Sequence, residues 1–293
     1  MNLKEGIVQF TKYLETSGRS PSTVRSYLWQ LGRFPLFLKN NPDVGIITQD
    51  QIIDFLKNGQ RQRLSDATLN VTKAALAGLF GYLVEAGHIN KMPFKRLRYD
   101  KIVRKLPRVL DPGEQSAVVA AADRAPDLAL LLRVYLDWGL RLSEALKLDV
   151  NDFQDCNVVR IIGKRKRVRK LPLTPGIRTA LERWLPVREA RLGSLRRHRG
   201  KKVDLRSLFL TKWGTRPRPR TAQSYLKDLF KRVGLPEVRV HNLRHTLGKR
   251  LADAGVHIRT IQDILGHADA STVEIYTPTT RIDISTALEK TST

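Results

Sequence analysis

A chain of 293 residues holds one large domain or two ordinary ones, and a 41% hydrophobic content supplies enough material for a core. Its formal charge of +25, from 53 basic against 28 acidic residues, predicts a field that draws a polyanion, although ribosome-associated and membrane-surface proteins share that balance. The single cysteine, Cys156, excludes an intramolecular disulfide, and the lack of an apolar span or signal-peptide pattern predicts a soluble protein of the reducing cytoplasm with no membrane partner.

Residues 1–98 read as all-helical. Ile7, Phe10, Tyr13 and Leu14 recur at helical spacing. Ser20-Pro21-Ser22-Thr23 is a helix start, followed by Val24, Tyr27, Leu28, Leu31 and Phe34 on one side. A short helix is predicted over 50–56, with Ile52, Ile53, Phe55 and Leu56 turned inward. A fourth runs from Ser65 or Asp66 through Leu83. Tyr27 and Trp29 read as packing residues. Arg19, Ser22, Thr23, Arg25 and Lys73 are polar positions suited either to solvent or to phosphate.

Between Lys95 and Arg108, seven of fourteen residues are basic, and no helical stripe persists. This predicts a linker over 99–108. A solvated tether would carry this charge, as would a segment lying against a polyanion, where each neutralised phosphate releases counterions.

The second domain is predicted over 109–293. Asp111-Pro112 caps a helix over 114–121, and an apolar core helix follows from Pro126 to Trp138, stopped at Gly139. Ser143-Glu144 opens the next helix, with Glu144 placed to orient an arginine or to cap backbone donors. Val158–Ile162 and Val168–Leu173 read as two short strands around Gly163-Lys164-Arg165-Lys166-Arg167, and Cys156 just before them as a small buried or loop residue. Thr174-Pro175 starts a helix marked by Ile177, Leu181 and Leu185, and Arg191–Arg206 reads as a basic loop. A buried segment at Leu208–Leu210, a turn at Trp213-Gly214 and a helix from Arg220 or Thr221 to Phe230 follow. Helices are then expected over 243–254 and 258–265, ended by Gly255 and Gly266, and a short one from about Ser271 carries Tyr276.

His241 and Arg244, one helical turn apart, can point into one cavity while the apolar positions between them bury the helix. That pairing suits a phosphodiester. His241 and His245 also have a metal-ligand spacing, but no third ligand is evident and a cation beside Arg244 is unfavourable, so no metal is expected. Gly163-Lys164 lacks the preceding glycine and following Ser/Thr of a phosphate loop, so no nucleotide or other cofactor is expected either.

Five separated elements occur in order: Gly139-Leu140-Arg141-Leu142-Ser143-Glu144, Lys164, His241-Asn242-Leu243-Arg244, Leu265-Gly266-His267 and Tyr276. This arrangement resembles the tyrosine recombinases, also called the phage integrase family, and within them the compact Xer-type and mobile-element recombinases. The resemblance implies a mainly α fold: a two-domain clamp with a helical DNA-core-binding domain and a mixed α/β, mostly helical, catalytic domain ending in a short regulatory tail. It implies a catalytic set of Arg141, Lys164, His241, Arg244, His267 and Tyr276. The family often continues its lysine turn as Gly-x-Lys, whereas this chain reads Arg165-Lys166-Arg167, which leaves Lys166 as the alternative to Lys164.

The implied reaction is strand cleavage and exchange through a 3′-phosphotyrosyl intermediate. Its implied partners are double-stranded DNA core sites, in a synapse of four protomers formed as a homotetramer or a related heterotetramer, in a nucleoid-associated setting. Two other readings stay open: a type IB-like DNA-relaxing enzyme, and a DNA-binding regulator on an inactive recombinase fold.

Overall fold

The computed structural model describes residues 1–102, 106–153, 157–163, 167–199 and 203–266, with backbone alone over 196–199. The chain divides into two units, Met1–Lys105 and Leu106–Thr293.

Four helices build the first unit: α1 (Leu3–Thr16), α2 (Pro21–Phe37), α3 (Gln49–Arg61) and α4 (Asp66–Glu85). Each begins on a side-chain oxygen, from Asn2, Ser20, Thr48 and Ser65 respectively, that accepts a backbone N–H of the first turn. Those N–H groups have no partner within the helix, so each cap is worth about 1 kcal/mol. Leu3, Ile7 and Phe10 of α1 meet Leu31 and Phe34 of α2 and Leu76, Leu79, Phe80 and Leu83 of α4 in one core.

Helix α4 is long and apolar enough, by length and composition, to cross a membrane. That corrects the reading that no run approaches a span. Ala75, Leu76, Leu79, Phe80 and Leu83 of this helix are buried in the core of the first unit.

Several residues differ from expectation, among them Tyr13 and Leu28, which the spacing puts on the apolar sides of α1 and α2 but which are 42% and 38% exposed. Trp29 does not pack: it is 59% exposed, with the Arg33 guanidinium 5.3 Å from its ring centre. The buried residues Val24, Leu31 and Phe34 claim the other side of α2 and turn position 29 outward. Lys73 is buried rather than open to phosphate, and its Nζ lies 2.6 Å from Asp100 Oδ2. Asn70 adds two hydrogen bonds of 2.9 Å with the Asp100 backbone, so the chain after the last helix is fastened to α4. Tyr27 does pack against the core.

The second unit is built around α6 (Pro126–Trp138), which follows α5 (Pro112–Ala122) and precedes the short α7 (Leu142–Ala145). Leu130, Leu132, Val134, Tyr135 and Trp138 of α6 are buried. Strands β1 (Val158–Ile162) and β2 (Val168–Pro172) form an antiparallel hairpin in which Ile161 faces Arg169 and Val159 faces Leu171. The indole N–H of Trp138 donates to Pro172 O at 2.8 Å and holds that hairpin to α6. Helices α8 (Pro175–Arg199), α9 (Pro219–Arg232), α10 (Val240–Asp253) and α11 (Ile258–Leu265) complete the described unit.

Helix α8 overturns the loop expected from Arg191. It continues to Arg199 because Trp184, Arg188 and Leu192, four residues apart, are all buried. Trp184 donates to Leu208 O at 2.8 Å, and Arg188 Nε to Ser207 O at 2.9 Å. These anchors tie the buried 207–210 segment to the helix, and such tertiary contacts override the weak apolar pattern. The expectations for Cys156, Lys164, Lys166, His267, the helix near Ser271, Tyr276 and the terminal tail lie outside the described residues.

Candidate active site

Gly139 ends α6 in the left-handed conformation, at φ 59°. The chain then reverses so that Arg141 precedes α7 and Glu144 sits in its first turn. The Glu144 carboxylate folds back on its own turn: Arg141 N–H donates to Oε2 at 3.0 Å, and Arg141 Nη1 to Oε1 at 2.8 Å. Glu144 is buried, with its side chain 5% exposed, whereas the Arg141 side chain is 35% exposed. Glu144 therefore orients an arginine and receives a backbone donor, the two tasks read from its position.

Helix α10 brings the second arginine in. Its start is held by Asn242, which donates to Arg108 O at 2.8 Å, and by the Thr246 hydroxyl, which accepts from Leu110 N–H at 2.9 Å. Arg244 is only 1% exposed. Its Nη1 donates to Gly139 O, and its Nη2 to Leu265 O at 2.6 Å. Arg141 Nη2 takes the next carbonyl, Gly266 O, at 2.9 Å. Two arginines from separate sequence motifs thus hold consecutive carbonyls of one turn, the last two before His267. Helix α11 reaches that position because Leu247, Ile261 and Leu265 form a small apolar cluster between it and α10.

His241 is exposed at the start of α10, with its ring 4.6 Å from that of His245 in an edge-to-face arrangement. Partial burial, then the positive charges of Arg244 and Arg141, push the His241 pKa below its ordinary value. His245 is pushed further, down to about 4, by burial and then by His241 and Arg244. At neutral pH both imidazoles are neutral, so each has one ring nitrogen that accepts a proton and one that donates. Among the described residues no group of three His, Cys, Asp or Glu side chains is arranged to hold a metal ion.

Of the six residues singled out from the sequence, the described structure brings Arg141, His241 and Arg244 together. Lys164, His267 and Tyr276 lie outside it, although Gly163 before Lys164 and Gly266 before His267 flank the cluster. Arg169 was missed. From β2, its Nη2 donates to Glu144 Oε2 at 2.8 Å, and its side chain is only 11% exposed. A signal for it existed: in the strand's alternation, position 169 shares the inward side of Leu171, an odd place for a cation unless something buried receives it.

Comparison with known proteins decides the lineage. The phage integrase family profile matches residues 108–281, and the profile of the phage integrase N-terminal SAM-like domain matches residues 7–87. The chain belongs to the phage integrase family, the tyrosine recombinases. It is 30% identical to tyrosine recombinase XerC of Roseiflexus castenholzii, over 94% of this chain and 89% of that protein. Its identity to tyrosine recombinase XerA of Pyrococcus horikoshii is 31%, over 96% of this chain and 92% of that protein. Among solved structures it resembles the XerH site-specific recombinase bound to its difH substrate in a pre-cleavage complex, with a TM-score of 0.70 and 25% identity over 96% of this chain and 84% of that one. The two-domain, mainly helical architecture with a small hairpin is that of the family.

Proposed function

We infer that this protein is a site-specific DNA recombinase that cuts and rejoins duplex core sites through a 3′-phosphotyrosyl bond to Tyr276. The observation that carries the reading is the convergence of Arg141 and Arg244 on the turn that leads into His267, with His241 within reach of both positive charges, in a chain whose relatives are recombinases.

The Tyr276 oxygen attacks the phosphorus, its proton passes to His241, and the 5′ oxygen of the next nucleotide leaves with a proton from Lys164. Lys166 is the alternative donor. A phenol of reference pKa about 10 needs such help near neutral pH. A cation close to the leaving oxygen also offsets its developing charge.

Arg141, the more open of the two arginines, grips a non-bridging oxygen. Arg244 supplies its permanent charge from inside the wall of the site, where a low dielectric strengthens it. His267 stabilises the same pentacoordinate transition state. The phosphodiester energy stays in the tyrosyl ester, so a 5′ hydroxyl from another duplex reseals the strand without a nucleotide or metal. Exchange in this way joins two core sites in an assembly of four protomers in the cytoplasm.

The test begins with a library of nicked duplexes incubated with the protein, without metal or nucleotide. The trapped DNA is sequenced to recover the core site, and two copies of that site are placed on a supercoiled plasmid. Recombinant circles that require both copies support the reading. Relaxation with equal efficiency on plasmids lacking the site would identify a DNA-relaxing enzyme. Tight binding without any adduct, even with paired sites supplied, would identify a regulator.

A further inference from the structure

Behind Arg141 lies a second arginine. Of the two acceptors that hold Arg141, the Glu144 carboxylate is bound by the guanidinium of Arg169, and the other, Gly266 O, belongs to a residue that lies against that guanidinium. Arg169 Nη2 is 2.8 Å from Glu144 Oε2, and Nη1 is 3.5 Å from Oε1. On its other side the guanidinium lies against Gly266, where an added Cβ would come within 2.7 Å of Nη1 and 3.1 Å of the central carbon. Gly163 closes the group: a Cβ there would lie 3.3 Å from Glu144 Oε1 and 3.5 Å from Arg169 Nη1. The Glu144–Arg169 pair therefore touches the motif segment that contains Arg141 and the residues immediately before Lys164 and His267.

A purely structural reading of this pair is weak. Burying an ion pair seldom stabilises a fold more than apolar residues of the same volume, because desolvation offsets the attraction. Arg169 is a costly choice in a second way, since among the described residues its buried Nε finds no hydrogen-bond partner. What the pair supplies is fixed geometry. The planar fork sets the carboxylate plane, the carboxylate sets the guanidinium of Arg141, and the face beneath Gly266 sets the turn whose carbonyl takes the remaining Arg141 contact.

We propose that Arg169 is a positioning residue: acting through Glu144 and the Gly266 turn, it holds Arg141 at the angle needed to neutralise the phosphate in the transition state. This rests on the recombinase reading above. It adds a residue that never touches DNA. Removing the fork leaves Arg141 present but bound to a carboxylate and a turn that are no longer fixed, so binding survives while cleavage slows by about 10- to 100-fold, the usual effect of removing a group that orients a functional side chain.

The test compares wild type, Arg169→Gln, Arg169→Lys and Arg141→Lys, and combines each Arg169 change with Arg141→Lys. Thermal melting establishes folding, gel shift gives DNA affinity, and single-turnover adduct formation on a trapping substrate gives the cleavage rate. A second substrate carries a neutral methylphosphonate at the cut position.

We expect Arg169→Gln to bind DNA within about twofold of wild type and to cleave about 10- to 100-fold more slowly. Its deficit should shrink on the neutral linkage, which no longer needs Arg141 to balance a charge, and the change should add little to Arg141→Lys. If Arg169→Gln does not fold, Arg169→Lys, which keeps the charge but loses the fork, should show the same selective deficit. Wild-type cleavage rates in folded Arg169 variants would overturn the proposal. So would a deficit equal on both substrates, or one fully additive with Arg141→Lys. Absence of any wild-type adduct would instead overturn the recombinase reading.

Discussion

Gly139→Ala should be among the most damaging small changes in the second unit, and Gly255→Ala provides its control. Both glycines have left-handed backbones, at φ 59° and 71°. An alanine at either position therefore meets the same conformational penalty of about 1–2 kcal/mol. They differ in their surroundings. At Gly255 an added Cβ has nothing within 4 Å among the described residues, whereas at Gly139 it would fall 2.5 Å from Leu265 Cδ2 and 2.9 Å from Leu247 Cδ2. Both leucines are buried, so neither moves without disturbing the α10–α11 cluster. Overpacking of this kind costs about 1–3 kcal/mol beyond the shared penalty.

In a domain of this size each kcal/mol lowers Tm by about 2–4 °C. Gly139→Ala should therefore melt about 2–12 °C below Gly255→Ala, and near-UV circular dichroism reports it through the neighbouring buried Trp138. Since Gly139 O also accepts from Arg244, DNA cleavage should fall further than the loss of folded protein accounts for. Equal melting temperatures for the two variants would refute the reasoning.

Glu144 is pushed up by burial, but hydrogen bonds and charge from Arg169 and Arg141 outweigh this and hold it below its ordinary value. The resulting stability is present above the unfolded carboxylate pKa and lost as pH falls through the lower folded value. Glu144→Gln should cost about 3 kcal/mol at neutral pH and flatten that acid limb, as read from Tm against pH. His245, ordinarily at 6.5 and here at about 4, takes a proton first in the unfolded state. Its contribution is therefore full above pH 6.5, lost between 6.5 and about 4, and constant below, and His245→Gln should remove that slope from the same melting series. Asp100→Ala leaves Lys73 buried without its partner and releases the chain after α4. Faster trypsin cleavage after Lys101 than in wild type is the expected result, and an unchanged rate would show that Asn70 alone holds the segment.

Much of the helical framework was legible because its signals are local. Ser20 and Asp111 are caps ahead of prolines, Gly139 and Gly266 stop helices with positive φ, and α6 is a long apolar stretch. Where contacts distant in sequence decide, the reading failed. Helix α8 continues beyond its apolar pattern because Arg188 and Leu192 find partners or core around 205–210. Trp29 faces outward because smaller residues occupy the inward positions of α2, and Lys73 is buried because Asp100, well down the chain, returns to it.

In the site, Arg141, His241 and Arg244 were readable from motif spacing. Arg169 was not, because its importance depends on Glu144 meeting it from another motif. Only the inward register of β2 hinted at it.

The most direct test of the central claim is to trap the DNA adduct, digest it with trypsin and nuclease, and locate the attached nucleotide by mass spectrometry. Tyr276 is the only tyrosine in the tryptic peptide spanning 260–281. The account predicts that this peptide alone carries a nucleotide, joined through its 3′ phosphate, and that Tyr276→Phe yields no adduct. A nucleotide on another peptide, a 5′ linkage, or an adduct that survives in Tyr276→Phe would contradict it.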